Sequence, residues 1–208
     1  RLKDKNILKI DGLPLVVRAA KEASKSKFVV GLLVSSEANY ILDICKKNNI
    51  NTLKRPKKLS ISSTEKQEVI VHATKYFEKN YFKPEIVISL QCNSPELNFR
   101  DLDNALVFFE KKLHPNAEIK EVISINKDNI QNACFRILTF KAVFQKTLST
   151  KMGVFFTNYS DIHTYKDFLK SKKNIEKKNE KKNIIFFFLY LMKDMVMQSD
   201  KEQLLKSF

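Results

Sequence analysis

Two long cations, Arg1 and Lys5, stand four residues apart, shortly before a helix start marked by Pro14. Proline is favoured in the first turn of a helix, where its missing N–H costs nothing. Flexible cations beside a helix start can neutralise the charge that builds on a departing phosphate group. The alternative is that this basic segment is only solvated, and other residues must decide between the two.

The cysteines and His72 do not suggest a nucleophilic or zinc site. The three cysteines, Cys45, Cys92 and Cys134, share no short spacing, so we predict neither a disulfide framework nor a zinc site, and a reducing cytoplasm fits best. His72 lies on a predicted helix face beside Val69 and Ala73, which favours a packed, structural histidine.

The formal net charge is +15, with a pI near 9.6. Eight lysines and three acids fall within residues 166–183, and such charge runs are usually solvated. The aromatic residues lie mostly in apolar runs rather than among the basic residues, so we expect no nucleic-acid partner. The longest apolar run, 184–192, has nine residues, about half of the ~20 that cross a bilayer, so we expect no transmembrane segment.

Alternating strand-like and helix-like segments predict a layered α/β fold with a largely parallel sheet over residues 1–168. Strands are predicted at 28–34, 51–53, 85–90, 121–125, 134–139 and 153–157. Helices are predicted at 14–23, 38–45, 64–81, 101–112 and 141–147. Residues 169–208 share no period with the rest, and we interpret them as a Lys-rich and apolar, weakly determined tail.

Three predicted loops stand where ligands are expected. In open α/β sheets, ligands bind beyond the carboxyl ends of strands, where loops and helix N-termini supply donors. The loops at Ser35–Ser36, Arg55–Pro56 and Gln91–Pro95 all follow strands. We therefore expect the chemistry to involve them.

Five segments in order resemble the CMP-sugar-acid synthetases, the acylneuraminate cytidylyltransferase-like family that couples CTP to sialic acid and related sugar acids. The segments are Arg1–Ile7 with Asp11–Leu15, Leu33–Glu37, Arg55–Ser60, Leu90–Pro95 and Ser160–Asp167. Asn132–Phe135 is similar to a further family pattern ahead of a strand. This resemblance implies a Rossmann-like, three-layer nucleotidyltransferase fold with a mostly parallel sheet.

The resemblance also implies roles for single residues. Arg1 and Lys5 match residues that hold the triphosphate, whereas Asn6 and Arg55 match residues near the nucleotide. Gln91 would face the sugar and its attacking hydroxyl, and Ser94 would shape the following turn. Asp161 and His163 stand where the family has two aspartates that bind Mg²⁺, a hard ion that prefers oxygen ligands.

The sequence departs from the family at several positions. The family's first strand and phosphate-binding loop are missing ahead of Arg1, so we expect a longer natural protein. Ser62 and Lys66 replace an aspartate and a serine near the nucleotide, and the imidazole of His163 is a poor Mg²⁺ ligand. The arm that pairs subunits in the family is reduced to residues 126–132, so a homodimer is compatible with the sequence but is not carried over.

We expect a cytoplasmic, Mg²⁺-dependent enzyme that transfers CMP from CTP to a sialic-acid-like nonulosonic acid and releases pyrophosphate. Such catalysis is mostly positioning and charge stabilisation, and needs no covalent residue. Two alternatives stay open: a non-catalytic remnant of the fold that binds nucleotide or a partner, and a general basic nucleic-acid binder.

Overall fold

The computed structural model describes residues 2–61, 63–112, 119–146 and 151–179. Arg1, Ser62 and the residues beyond 179 lie outside this part, as does most of the predicted tail. The chain divides into two compact units between Phe168 and Leu169. The strands are β1 (Lys9–Ile10), β2 (Leu13–Pro14), β3 (Val34–Ser36), β4 (Thr52–Lys54), β5 (Ile86–Leu90), β6 (Glu121–Ile125), β7 (Gln131–Thr139) and β8 (Met152–Phe156).

The helices follow the apolar periodicity of the sequence. They are α1 (Leu15–Ala23), α2 (Asn39–Lys46), α3 (Lys66–Asn80), α4 (Phe99–Lys112), α5 (Phe140–Val143) and α6 (residues 165–179), with short 3₁₀ turns at Lys5–Ile7 and Lys57–Leu59. Pro14 directly precedes α1, as its position in the sequence indicates. Most predicted elements are confirmed within a few residues, although α5 ends four residues earlier than expected.

β5, β7, β6 and β8 form a four-stranded sheet in that order. β6 and β8 are parallel, but β7 runs antiparallel to both β5 and β6. The expectation of a mostly parallel sheet is therefore corrected here. The physical reason is the short connection between β6 and β7, since a tight hairpin can join only antiparallel strands. Asn126 closes this hairpin, its N–H donating to the Ile130 carbonyl at 2.9 Å.

Helices cover both faces of this sheet, which gives three layers. On one face, Leu102, Ala105 and Phe109 of α4 pack in a buried cluster with Val122 and Ile137. On the other face, Ile70 of α3 packs with Leu138 and with α5. Neighbouring residues of β7 thus point to opposite cores, as the two-residue period of a strand requires.

β3 and β4 form a separate parallel pair with Val34 opposite Thr52. The predicted strand 28–34 is wrong over residues 28–33, which take part in no strand pairing among the described residues. Val30 is 80% exposed, although its apolar run is typical of a strand covered on both faces. An apolar run becomes a strand only where a neighbour completes its hydrogen bonds, and here pairing begins at Val34.

No helix in the described part of the chain is both long and apolar enough to cross a bilayer.

Candidate active site

Three distant segments meet beyond the carboxyl end of β5. The Ser94 hydroxyl, fully buried in the loop after β5, donates to Asp161 Oδ1 at 2.5 Å. Lys5 Nζ donates to the carbonyl of Ile162 at 3.2 Å, across 157 residues of sequence. We call Lys5, Ser94 and Asp161 the loop cluster. It brings a predicted phosphate-binding cation next to a predicted metal-binding carboxylate.

The Asp161 segment is held by its neighbours on both sides. The Ile162 N–H donates to the Asn93 carbonyl at 2.8 Å, and the Ile162 side chain is fully buried. The Tyr159 hydroxyl donates to Asp101 and accepts from the N–H of Asn98 at 3.1 Å. These contacts fix the backbone around Asp161, so its carboxylate is placed before any ligand binds.

Asn6 lies beside the loop after β5. Its Oδ1 accepts a hydrogen bond from Cys92 Sγ at 3.2 Å. Burial, opposed by the charge of Lys5, raises the pKa of the Cys92 thiol to about 11. The thiol therefore stays protonated and acts as a donor that orients Asn6, not as a nucleophile.

A cleft of about 220 Å³ opens next to Lys5 and Asn6. Glu37, Ala38 and Tyr40 form its opposite wall, and the Tyr40 hydroxyl donates to Asp4 Oδ1 at 2.8 Å. The cleft thus joins the predicted nucleotide residues at the chain start to the loop that follows β3.

Arg55 is engaged within the protein. Its Nη2 pairs with Glu37, its Nε donates to Ser60 Oγ at 3.2 Å, and its own N–H donates to the Ser36 carbonyl at 2.9 Å. Partial burial raises the pKa of Glu37, but the hydrogen bond and charge of Arg55 lower it by more, so the pKa lies below its usual value. If Arg55 contacted a nucleotide, its guanidinium would bind the nucleotide and Glu37 at the same time.

Asp161 and Asn93, on two segments joined by the Ile162–Asn93 backbone hydrogen bond, carry oxygen atoms of the kind that a hard divalent cation binds. Asn93 is 6% exposed, and its Oδ1 has no hydrogen-bond partner in the described part of the chain. A buried carbonyl oxygen without a donor is costly unless a ligand completes it. Carboxylate and amide oxygens are the ligands that Mg²⁺ prefers. No group of three or more His, Cys, Asp or Glu residues capable of holding a metal occurs among the described residues, so water or phosphate oxygens would complete the shell.

His163 is exposed, next to the start of α6. Its backbone N–H donates to Asp167 Oδ2 at 3.1 Å, as does the Thr164 N–H at 2.8 Å. Asp167 in turn donates its N–H to Thr164 Oγ1 at 3.2 Å. The end of the fifth motif is therefore a capping box that starts α6.

Gln91 lies in a second cavity, of about 230 Å³, on the α3 face of the four-stranded sheet. We call it the sheet cavity. Its remaining lining consists of Lys66, Ile70, Ser89, Ile123, Gln131, Asn132, Phe135, Arg136 and Met152. Since Gln91 directly precedes the loop that carries Ser94, the sheet cavity and the loop cluster share one segment of chain.

The wall of the sheet cavity carries an ion pair. Arg136 donates from Nε and Nη2 to Glu121 Oε2 at 2.9 and 2.5 Å, and from Nη1 to Gln67 Oε1 at 2.7 Å. Glu121 is fully buried, and Arg136 is the positively charged partner of its carboxylate. Gln67 also donates from Nε2 to the carbonyl of Val143. This side chain therefore ties α3 to both β7 and α5.

The sequence model of the family described as cytidylyltransferase matches residues 1–204. The chain belongs to the cytidylyltransferase family. A relative, the 3-deoxy-manno-octulosonate cytidylyltransferase of Chloroherpeton thalassium (strain ATCC 35110 / GB-78), is 28% identical over 134 residues, which are 64% of this chain and 51% of the relative. The chain thus spans about half the length of that relative.

Solved cytidylyltransferase structures share the fold. A CMP:2-keto-3-deoxy-manno-octonic acid synthetase complexed with CTP has a TM-score of 0.66 at 10% identity, covering 86% of this chain and 94% of that one. A cytidylyltransferase from Leptospira borgpetersenii serovar Hardjo-bovis (strain JB197) has a TM-score of 0.61 at 14% identity, covering 83% and 79%. The expected nucleotidyltransferase fold is confirmed.

In this cytidylyltransferase-family chain, Ser94 is hydrogen-bonded to Asp161, Lys5 to the carbonyl of the next residue, Ile162, and Asn6 to Cys92 in the same loop as Ser94. Gln91 lies in the adjoining sheet cavity, Arg55 is paired with Glu37, and Arg1 lies outside the described residues.

Sequence reasoning missed the buried oxygen of Asn93 and the placement of Lys66 in the sheet cavity. The position of Asn93 between Gln91 and Ser94, inside the most specific motif, is the signal that could have directed attention to it.

Proposed function

We propose that the protein transfers CMP from CTP to a sugar acid and releases pyrophosphate, with Mg²⁺ as the metal. The observation that carries this proposal is the loop cluster, in which Ser94 bonds to Asp161 and Lys5 bonds to the carbonyl that follows Asp161, although the three residues lie far apart in sequence. Membership of the cytidylyltransferase family supports the reaction class. The name of the Chloroherpeton relative makes 3-deoxy-manno-octulosonate an acceptor to test beside sialic acid.

The residues divide the work by their chemistry. Lys5, with Arg1, would neutralise charge on the departing pyrophosphate, and Asn6 would hold the nucleotide beside them. Asp161 and the Asn93 amide oxygen would hold Mg²⁺, which supplies charge neutralisation at the phosphates when bound. Ser94 would keep the Asp161 carboxylate oriented through its hydrogen bond, and Gln91 would orient the acceptor hydroxyl.

Pyrophosphate release from CTP tests the proposal, using protein expressed from its full open reading frame, Mg²⁺ and either 3-deoxy-manno-octulosonate or N-acetylneuraminate. We expect turnover with a sugar acid and none without one. The Lys5→Met variant should lower kcat about 10²- to 10³-fold, since it removes one charged donor to the developing negative charge.

Lys3→Met is the matched control, because Lys3 lies in the same segment and is exposed. It should change kcat less than about twofold. Absence of both turnover and CTP binding would rule out the enzyme, and equal effects of the two substitutions would remove Lys5 from the reaction.

A second candidate is a non-catalytic nucleotide-binding protein of the same fold. The pairing of Arg55 with Glu37 favours it, because that guanidinium is already engaged. CTP binding without pyrophosphate release, with every sugar acid offered, would establish this alternative.

A further inference from the structure

The polar groups of the sheet cavity fall into two sets. Arg136 is committed to Glu121 and Gln67, and Asn132 donates from Nδ2 to Thr157 Oγ1 at 2.7 Å. By contrast, Lys66 has no ion pair with any other described residue, and the side chains of Gln91 and Gln131 make no hydrogen bond within that part of the chain. The side chains of the first set are hydrogen-bonded within the protein and line the cavity. Those of the second set have donors and acceptors left for a ligand.

Lys66 is the cation of the second set. The guanidinium of Arg136 is compensated by the buried carboxylate of Glu121, so that pair contributes little net charge. An anionic group that enters the cavity would therefore be drawn to Lys66. Two primary amides nearby, each with donors and an acceptor, suit the hydroxyl groups of a sugar.

The first turn of α3 holds Lys66 over the cavity. Gln67, the next residue, accepts from Arg136 Nη1 and donates to the Val143 carbonyl. Ile70, one turn later, is buried against Leu138 and Val143. With the backbone of α3 fixed at both points, only the flexible stem of Lys66 has to be ordered when a ligand binds.

We propose that Lys66 binds the carboxylate of the acceptor sugar acid and is the residue that selects an acidic acceptor. This inference rests on the proposed function, and it identifies the cavity cation that distinguishes a sugar acid from a neutral sugar. The cavity volume of about 230 Å³ lies below the ~300–1,000 Å³ typical of sites for drug-sized ligands, and it suits one monosaccharide-sized group. Lys66 comes from α3, whereas Gln91 directly follows β5 and Gln131 begins β7, so the carboxylate and the hydroxyl groups would contact different elements of the fold.

The test measures binding and turnover separately. Isothermal titration gives the Kd of 3-deoxy-manno-octulosonate in the presence of a non-hydrolysable CTP analogue, and the Kd of that analogue alone. Lys66→Met should raise the Kd of the acid about 10- to 100-fold, the loss expected for one charge-assisted hydrogen bond, and leave the Kd of the analogue within about twofold. Lys66→Arg should restore most of the affinity for the acid.

Lys79→Met is the matched control, since Lys79 is an exposed lysine of the same helix that does not line the cavity. It should leave both Kd values unchanged. Because Lys66 is exposed, loss of the fold is not expected, and the thermal midpoint of each variant checks this.

The outcomes separate this inference from the proposed function. An unchanged Kd for the acid in Lys66→Met, or weaker binding of the CTP analogue in its place, overturns the role of Lys66 and leaves cytidylyl transfer standing. Turnover of an uncharged sugar with the same kcat/KM as the acid overturns the selectivity but supports the transfer reaction. A wild-type protein that binds no acid overturns the inference, and its turnover with other acceptors then decides the function.

Discussion

The loop cluster and the sheet cavity differ in how far their polar groups are already engaged. In the loop cluster, Lys5, Ser94 and Asp161 bond to one another or to the backbone beside them. In the sheet cavity, the wall residues Arg136 and Asn132 are hydrogen-bonded, but the side chains of Lys66 and Gln91 make no hydrogen bond to another described residue. The two regions adjoin through the single segment from Gln91 to Ser94.

This difference corresponds to two chemical tasks. Groups that stabilise charge in a transition state work best when they are already oriented, because no reorganisation is then needed during the reaction. Groups that bind a substrate must exchange water for ligand, so their hydrogen bonds remain available until it arrives. When the backbone that carries such groups is already fixed, less conformational entropy is lost on ligand binding.

The largest expected loss of stability comes from a substitution in the ion pair beside the sheet cavity, away from the loop cluster. Glu121→Gln removes the counter-charge of Arg136, whose side chain is only 19% exposed. We expect the free energy of unfolding to fall by about 3 to 5 kcal/mol, the range for losing one partner of a buried pair. Urea unfolding at pH 7 measures this loss.

Glu110→Gln is the control for that substitution, since Glu110 is an exposed acid in α4. It should change the free energy of unfolding by about 0.5 kcal/mol or less. A loss below about 1 kcal/mol in Glu121→Gln would mean that solvent satisfies Arg136, and that the wall is not a fixed structure.

The sequence predicted the loop cluster better than the cavity wall. Lys5, Ser94 and Asp161 belong to short motifs whose order along the chain carries information, so the sequence alone indicates each of them. The bonds from Arg136 to Gln67 and Glu121 join residues 69 and 15 positions apart, and neither helical nor strand periodicity specifies such pairs. Long-range side-chain pairing depends on the register of the sheet.

The same reasoning explains the two errors in the fold. An apolar run such as residues 28–33 indicates only that the residues tend to be buried. Whether they form a strand depends on an adjacent strand that completes their backbone hydrogen bonds. The direction of β7 depends on the length of the hairpin before it, which is readable from the sequence. The seven residues from Asn126 to Asn132 stand where the family has its arm, and their small number also indicates a tight antiparallel turn.

A smaller effect concerns the support of the loop cluster. Tyr159→Phe removes the hydroxyl that donates to Asp101 and accepts from Asn98, at a residue only 7% exposed. Hydrogen bonds to charged groups contribute about 1.5 to 3 kcal/mol, and we expect a loss of unfolding free energy within that range. Because the segment also carries Asp161, kcat should fall while the Kd of 3-deoxy-manno-octulosonate stays constant.

Tyr165→Phe serves as the comparison, since Tyr165 is 57% exposed. It should change stability by about 0.5 kcal/mol or less. If Tyr159→Phe weakened binding of the acid as much as it lowered kcat, the two regions would not be independent. Burial and Asp101 both raise the pKa of Tyr159, so the hydroxyl stays protonated and the effect should not vary between pH 6 and 9.

The smallest effect tests the end of the Asp161 segment, where α6 begins. The N–H groups of Thr164 and His163 lower the pKa of Asp167 from its ordinary value of 3.8. A carboxyl with a lowered folded pKa stabilises the protein above its unfolded pKa, and this contribution is lost as pH falls through the folded value. Asp167→Asn should therefore cost about 0.3 to 1 kcal/mol near pH 6, the range for an anion at a helix N-terminus.

That cost should shrink as the pH falls below the ordinary value of 3.8 towards the lowered pKa of folded Asp167, because the wild-type carboxylate is then progressively protonated. Urea unfolding of both proteins between pH 3 and 6 measures the difference. Asparagine retains an acceptor oxygen, so the pH-dependent part reports the charge and not the hydrogen bond. A difference that stays constant down to pH 3 would assign the capping to the hydrogen bond alone. The start of α6 would then position Asp161 through geometry, with no contribution from the charge of Asp167.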